Sequence, residues 1–239
     1  MSEMRFLGSS TISSLIHPAT YINKFLVGFS DGRLELWNFN SRKLIYQYKS
    51  LVPYLSKSTT EKRARKARVN GLQLVELADS DDDNDDAALS GGMSAYITCM
   101  ESSPAVDVVA VGCSNGAILL LHLKLDQVMF AFQQSDGAVT SLTFRTDSES
   151  VRYPFLVSSS PQGRLHIWNL GSRSSTTPPD VDNDSDGDGD GDATNVRPLE
   201  RKLQCSVDDA HRGCVSRVSF LPGEPIMVSA GHDNCLRMW

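Results

Sequence analysis

No apolar run in the sequence approaches the roughly 20 residues that cross a bilayer; Ala117–Leu121 is among the longest. The first residues carry only Arg5 ahead of serine, threonine and glycine, so no secretory signal is expected. The cysteines (Cys99, Cys113, Cys205, Cys214 and Cys235) are odd in number and never spaced C-x-x-C. That argues against a bridge framework or a zinc site, and fits reduced, mostly buried thiols in a soluble intracellular protein. There is no Walker A motif, no G-x-G-x-x-G after a strand and no H-E-x-x-H. No cofactor, metal, membrane partner or small-molecule substrate is therefore expected. Aromatic residues are 8% of the chain, and no strand carries the aromatic spacing of an RNP-type base-reading surface.

What is present is a 239-residue chain, long enough for a sizeable core, whose net charge of −6 is unevenly spread. Lys57–Arg68 holds six basic residues (Lys57, Lys62, Arg63, Arg65, Lys66 and Arg68) and Glu61. Glu76–Asp86 and Asp180–Asp192 each hold seven acidic residues and no basic one. Outside these runs the chain is mildly basic. Like charges in blocks repel and bury nothing, so the runs read as insertions over 49–94 and 171–198 in a folded remainder.

The remainder repeats. Asp31-Gly-Arg-Leu-Glu-Leu-Trp37, Asn115-Gly-Ala-Ile-Leu-Leu-Leu121, Gln162-Gly-Arg-Leu-His-Ile-Trp168 and Asp233-Asn-Cys-Leu-Arg-Met-Trp239 share one phrase. The turn markers Asp31, Gly32, Asn115, Gly116 and Gly163 open a tight turn, and alternating apolar residues run to the strand markers Trp37 and Trp168. A β-branched run precedes each turn, as in Val108–Gly112, and another strand precedes that, as in Val139–Phe144. A fourth strand follows, as in Leu44–Tyr48. Four strands and then a repeat is the grammar of a propeller blade. The phrase ends at 37, 121, 168 and 239, and the middle interval is near the roughly 40–45 residues of a WD-type repeat. The expected fold is an all-β WD-repeat β-propeller with about four blades. It is expected to be part of a larger tandem propeller, since the last phrase has no fourth strand after it. The first insertion would leave between blades and the second between the third and fourth strands of its blade, on opposite faces of the disc.

His211, Ser229 and Asp233 are the residue types of a hydrolytic triad, but Ser229 falls in a strand expected to be buried, not on an exposed elbow. With Trp239 they match in order the structural tetrad of a WD repeat, which satisfies buried polar groups and pins a turn. The other blades lack members (Val27 at the serine position, Leu121 at the tryptophan, Gln162 at the turn) and are expected to rely on packing. Asp182-x-Asp184-x-Asp186-Gly187 opens like an EF-hand loop, yet Ala193 stands where a bidentate glutamate is needed. A solvated acidic linker fits better. The basic run fits a localisation signal, a phosphate contact or a soluble loop.

Ile12–Gly28, Ser103–Gly112, Thr140–Asp147, Leu165–Leu170 and Phe220–Pro225 resemble, outside the generic WD signature, the WD-repeat subunit of the UTP-B subcomplex of the small-subunit processome. This is the U3 small nucleolar RNA-associated WD-repeat family. The resemblance covers the blades and skips the charged insertions. It implies a non-enzymatic nucleolar scaffold with tandem propellers, working with other WD-repeat subunits on pre-rRNA and small nucleolar RNA toward 18S rRNA. No catalytic residue carries over. Blade edges and top loops are the expected contacts for partner subunits, with Lys57–Arg68 a possible RNA contact. The competing class is a WD-repeat adaptor elsewhere, such as a ubiquitin-ligase substrate receptor or a signalling scaffold.

Overall fold

The computed structural model describes residues 6, 10–55, 95–152, 154–171 and 203–239. The alternating segments form four antiparallel meanders, each with strands in chain order. Blade one comprises β1 (Ile12–Ile16), β2 (Lys24–Phe29), β3 (Leu34–Asn38) and β4 (Lys43–Tyr48). Blade two comprises β5 (Ile97–Ser102), β6 (Val108–Cys113), β7 (Ala117–His122) and β8 (Gln127–Gln133). Blade three holds β9 (Ser141–Phe144), β10 (Phe155–Ser159), β11 (Leu165–Asn169) and β12 (Leu203–Val207). Blade four has three described strands: β13 (Val215–Phe220), β14 (Met227–Gly231) and β15 (Leu236–Met238).

Glycine or asparagine at positive φ makes the turn between second and third strands: Gly32, Gly116 and Gly163 near +85°, and Asn234 at 59°. Side chains complete it, since Asp31, Asn115 and Asp233 each accept from the backbone N–H two residues on. The third and fourth strands of blades one to three share a register shift beside Trp37, Leu121 and Trp168. A bulge there sharpens the twist between middle and outer strands.

The blades stand side by side through their innermost strands, β1 against β5, β5 against β9 and β9 against β13. The last pair is stitched by side chains: the N–H groups of Val218 and Phe220 donate to the hydroxyls of Ser141 and Thr143 at 3.2 and 3.1 Å. Matching residues in the same order means the strands run parallel. The core is therefore three layers between sheets. Leu26, Leu34, Ile97, Val111 and Leu119 fill the first, Ile118, Leu142, Leu156 and Trp168 the second, and Val157, Leu165, Val215 and Val218 the third. Sheets this close leave no room for side chains at some positions. A Cβ on Gly112 would lie 2.6 Å from Cys99 Sγ and 2.7 Å from Val139 Cγ1 of blade three.

Connections between second and third strands and between blades define an upper end; the remaining connections define a lower end. Leu51 and Leu55, in and beside the single helical turn Val52–Leu55, are buried, so packed structure continues past β4 to Leu55. There the chain leaves, and Ala95 N–H donates to the Leu55 carbonyl where it returns. The charged runs themselves lie outside the described residues, and so does the EF-hand-like stretch. All five cysteines are free thiols, but only Cys113 is fully buried. Cys205 on the outer strand β12 and Cys235 in a turn are exposed, which corrects the expectation of mostly buried thiols. Among the described residues no helix is long and apolar enough to cross a membrane.

Candidate functional site

Ser229 lies in the middle of β14, opposite Val218 on one side and Arg237 on the other, and is fully buried. His211 comes from the connection entering blade four, Asp233 from the β14–β15 turn and Trp239 from the residue after β15. His211 Nε2 is 2.7 Å from Ser229 Oγ, and Nδ1 is 2.8 Å from Asp233 Oδ1. Trp239 Nε1–H donates to Ser229 Oγ at 2.9 Å. Arg237 Nη1 also lies 2.6 Å from His211 Nδ1, so histidine, aspartate and arginine form one cluster around that nitrogen. Asp233 also accepts from Arg237 Nη1 at 2.8 Å and from the N–H groups of Arg212 and Cys235. The Arg237 guanidinium, then His211 and the two amides, hold the Asp233 carboxyl far below the usual carboxylate range.

This chemistry holds a joint. The Ser229 hydroxyl accepts from the Trp239 indole and shares a hydrogen bond with His211 Nε2, and the residue is fully buried. The joint extends into blade three, where His211 N–H donates to the Gly163 carbonyl at 2.9 Å. A side chain on Gly163 would collide with the His211 carbonyl, and φ there is +83°. Glycine at the turn of one blade thus makes room for the histidine loop of the next. Among the described residues no group of three or more His, Cys, Asp or Glu could hold a metal ion.

Blades one and three are not held by packing alone, which corrects the expectation from their missing tetrad members. In blade three, Trp168 Nε1–H donates to Ser158 Oγ at 2.9 Å, and that hydroxyl donates to Gln134 Oε1 at 2.9 Å. The Gln134 amide then donates to the carbonyls of Gly137 and Ala138. Glutamine does the work of histidine because its carbonyl accepts from serine while its NH₂ fixes the loop. Beside it, Asp136 takes His166 Nε2 at 2.9 Å and Arg164 Nη1 at 3.2 Å. In blade one, buried Glu35 accepts from Trp37 Nε1 at 2.9 Å and from Arg33 Nη1 at 2.6 Å, and Arg33 Nε reaches Asp31. Phe6 stands edge-on to Phe29 and Trp37, with centroids 5.7 and 4.9 Å apart. In blade two, Asn115 accepts from Ala117 N–H and donates to the Tyr54 carbonyl, while Leu121 is buried where others place tryptophan.

Gln134, Glu35, Arg33 and Asp136 escape a search for identical tetrad letters. Gln134 sits five residues before Val139, and His211 four before Val215, so comparing inter-blade connections would have found it. The possible RNA contacts Lys57, Lys62, Arg63, Arg65, Lys66 and Arg68 lie outside the described residues.

The profile of the family described as WDR36/Utp21 first beta-propeller matches residues 1–239. The chain belongs to that family. It is 27% identical over 228 residues to human WD repeat-containing protein 36, and 29% identical over 231 residues to the Schizosaccharomyces pombe U3 small nucleolar RNA-associated protein 21 homolog. Those alignments cover 95% and 97% of this chain but 17% of each relative, so the chain spans about a sixth of their length. In fold it is similar to the RRP9 WD40 repeats (TM-score 0.59, 16% identity), covering 98% of this chain and 49% of that one. It is likewise similar to U3-55K (TM-score 0.58, 16% identity), covering 98% and 50%. The chain thus aligns with about half the length of each of these two structures.

Proposed function

We propose that the chain is a non-catalytic scaffold module of the small-subunit processome, supporting pre-rRNA processing toward 18S rRNA and small-subunit assembly in the nucleolus. The observation that carries this reading is the family match over the whole chain. A relative named for its association with U3 small nucleolar RNA supports the RNA context. The burial and full engagement of Ser229 support the non-catalytic part. In this reading the propeller meets other WD-repeat subunits of the UTP-B subcomplex, and pre-rRNA and small nucleolar RNA directly or through the complex. The basic run 57–68 supplies sequence-independent phosphate contact.

Purifying the full-length protein from cells tests the reading. Co-recovery of pre-rRNA with the UTP-B subunits is expected, whereas cullin-type partners without rRNA would establish the adaptor alternative. Neutralising the six basic residues of 57–68 should weaken RNA crosslinking. It should also flatten the salt dependence of RNA binding by about 0.7 to 0.9 in log–log slope per lost phosphate contact. Unchanged crosslinking would remove RNA from that segment.

A further inference from the structure

The two ends of the disc show different chemistry to solvent. Upper-end turns are built from polar and small residues such as Ser30-Asp31-Gly32 and Ser114-Asn115-Gly116. At the lower end of blades one and two, each connection carries a large apolar side chain near its tip. Ile22 is 80% exposed, Phe39 65%, Val106 64% and Leu125 66%. Single exposed apolar residues are ordinary, but clustered ones mark contact surfaces.

These four are clustered by bonds among their neighbours. The Tyr21 phenol, next to Ile22, stands beside the Asp107 carboxylate, next to Val106, and burial first and then that charge push its pKa up to about 12. Lys124, next to Leu125, pairs with the same Asp107 carboxylate at 3.0 Å. Leu123 N–H donates to the Asp107 carbonyl and Phe39 N–H to the Asn23 carbonyl, both at 2.7 Å. Ile22, Val106 and Leu125 therefore surround one Tyr21–Asp107–Lys124 cluster, with Phe39 tied to the same loop. The loops are held in shape: Asn23, Asp107 and Asp126 sit at φ of 58°, 60° and 47°. A surface already fixed loses little entropy on binding.

Charge narrows the partner. Asp107 is taken up by Tyr21 and Lys124, and Asp126 by the Tyr46 hydroxyl and the N–H groups of Lys49 and Ser50. Lys24, Arg42 and Lys43 lie on the connections and strand starts beside the apolar tips. Three of the four exposed tips are aliphatic and only Phe39 offers a π face for a base, so basic residues around this patch favour a protein segment over a nucleic acid.

We propose that the lower end of blades one and two is a docking face for an acidic amphipathic segment of a partner protein. Its apolar side chains would cover Ile22, Val106 and Leu125, and its carboxylates would meet Lys24, Arg42 and Lys43. This holds in whichever complex the protein works.

The test is site-specific photo-crosslinking in the full-length protein in cells, with a benzophenone amino acid at position 22 or 125 and a control at position 234. The expected product is a peptide of another protein, identified by mass spectrometry, in which Asp or Glu alternates with apolar residues at helical spacing. Its yield should fall about tenfold in a Lys24→Glu, Arg42→Glu variant whose unfolding midpoint is unchanged. Should that variant unfold, Lys43→Glu alone is expected to lower the yield in the same direction. A nucleotide adduct, a peptide of the protein's own remaining chain, a partner peptide without acidic residues, or no product above the position 234 control would each overturn the proposal.

Discussion

Blade two places Leu121 where blade four places Trp239, and around it Val109, Val111, Ile118 and Leu119 are wholly buried. Blade four fastens its turn through Trp239, Ser229, His211 and Asp233, with Ser229 fully buried. One meander topology thus rests on non-directional burial in one blade and on a directed chain of hydrogen bonds in another. The difference explains why repeats can drift in sequence. Burial around Leu121 stands in for the polar joint in blade two, and blades one and three occupy the ground between with Glu35 and Gln134.

If burial carries blade two, deleting its methyl groups should have the largest effect. Leu119→Ala is expected to cost about 2–5 kcal/mol through lost transfer energy and the cavity left behind, read by chemical denaturation. Next comes Gly112→Ala, which forces Cys99 and Val139 apart and should cost about 1–3 kcal/mol by overpacking. In blade four, Ser229→Ala leaves the Trp239 N–H and His211 Nε2 without their partner and should cost about 1–3 kcal/mol. No hydrolytic activity should be lost with it. A Ser229→Ala protein as stable as the parent would collapse the contrast between the blades. Asp126→Ala removes the acceptor shared by Tyr46, Lys49 and Ser50, and should cost about 0.5–1.5 kcal/mol with faster proteolysis near residue 50.

The smallest effect is one of pH. Asp233 has a folded-state pKa depressed by Arg237 and then His211, so its stabilisation is present above the unfolded value near 3.8. It is lost as pH falls below that value through the folded one. Acid titration should lower the amide protection of β14 and β15 below about pH 4, and Asp233→Asn should remove that dependence. Blade two has no carboxylate at its β6–β7 turn, where Asn115 stands, so that turn should keep its protection over the same range, while the Asp107 and Asp126 connections, whose carboxyls are also held low, should loosen.

The strands were legible because alternation and turn chemistry are local: Asp31-Gly32, Asn115-Gly116 and Gln162-Gly163 fix where each second strand must end and its third begin. The blade-four joint was legible because all four residues keep their usual types and order. Gln134 was not, because its partner Ser158 lies on β10 of the next blade, and Glu35 was not, because a glutamate between Arg33 and Trp37 departs from the usual tetrad types although both partners are only two residues away. Leu51 and Leu55 look like the start of a charged insertion until the layer between blades one and two gives them somewhere to go. The lower-end cluster was hidden for the same reason, since Ile22, Val106 and Leu125 are far apart in sequence and meet only when the blades align.

The measurement that bears most directly on the polar joint as a structural device is a double-mutant cycle of Ser229→Ala and Trp239→Phe. It would be read by native-state amide exchange across β14 and β15 in the full-length protein. If the two side chains act as one hydrogen-bonded unit, the double variant should lose less than the sum of the single losses, by about 0.5–3 kcal/mol. Additive losses would contradict that account and leave Ser229 and Trp239 as independent residues that happen to be near one another.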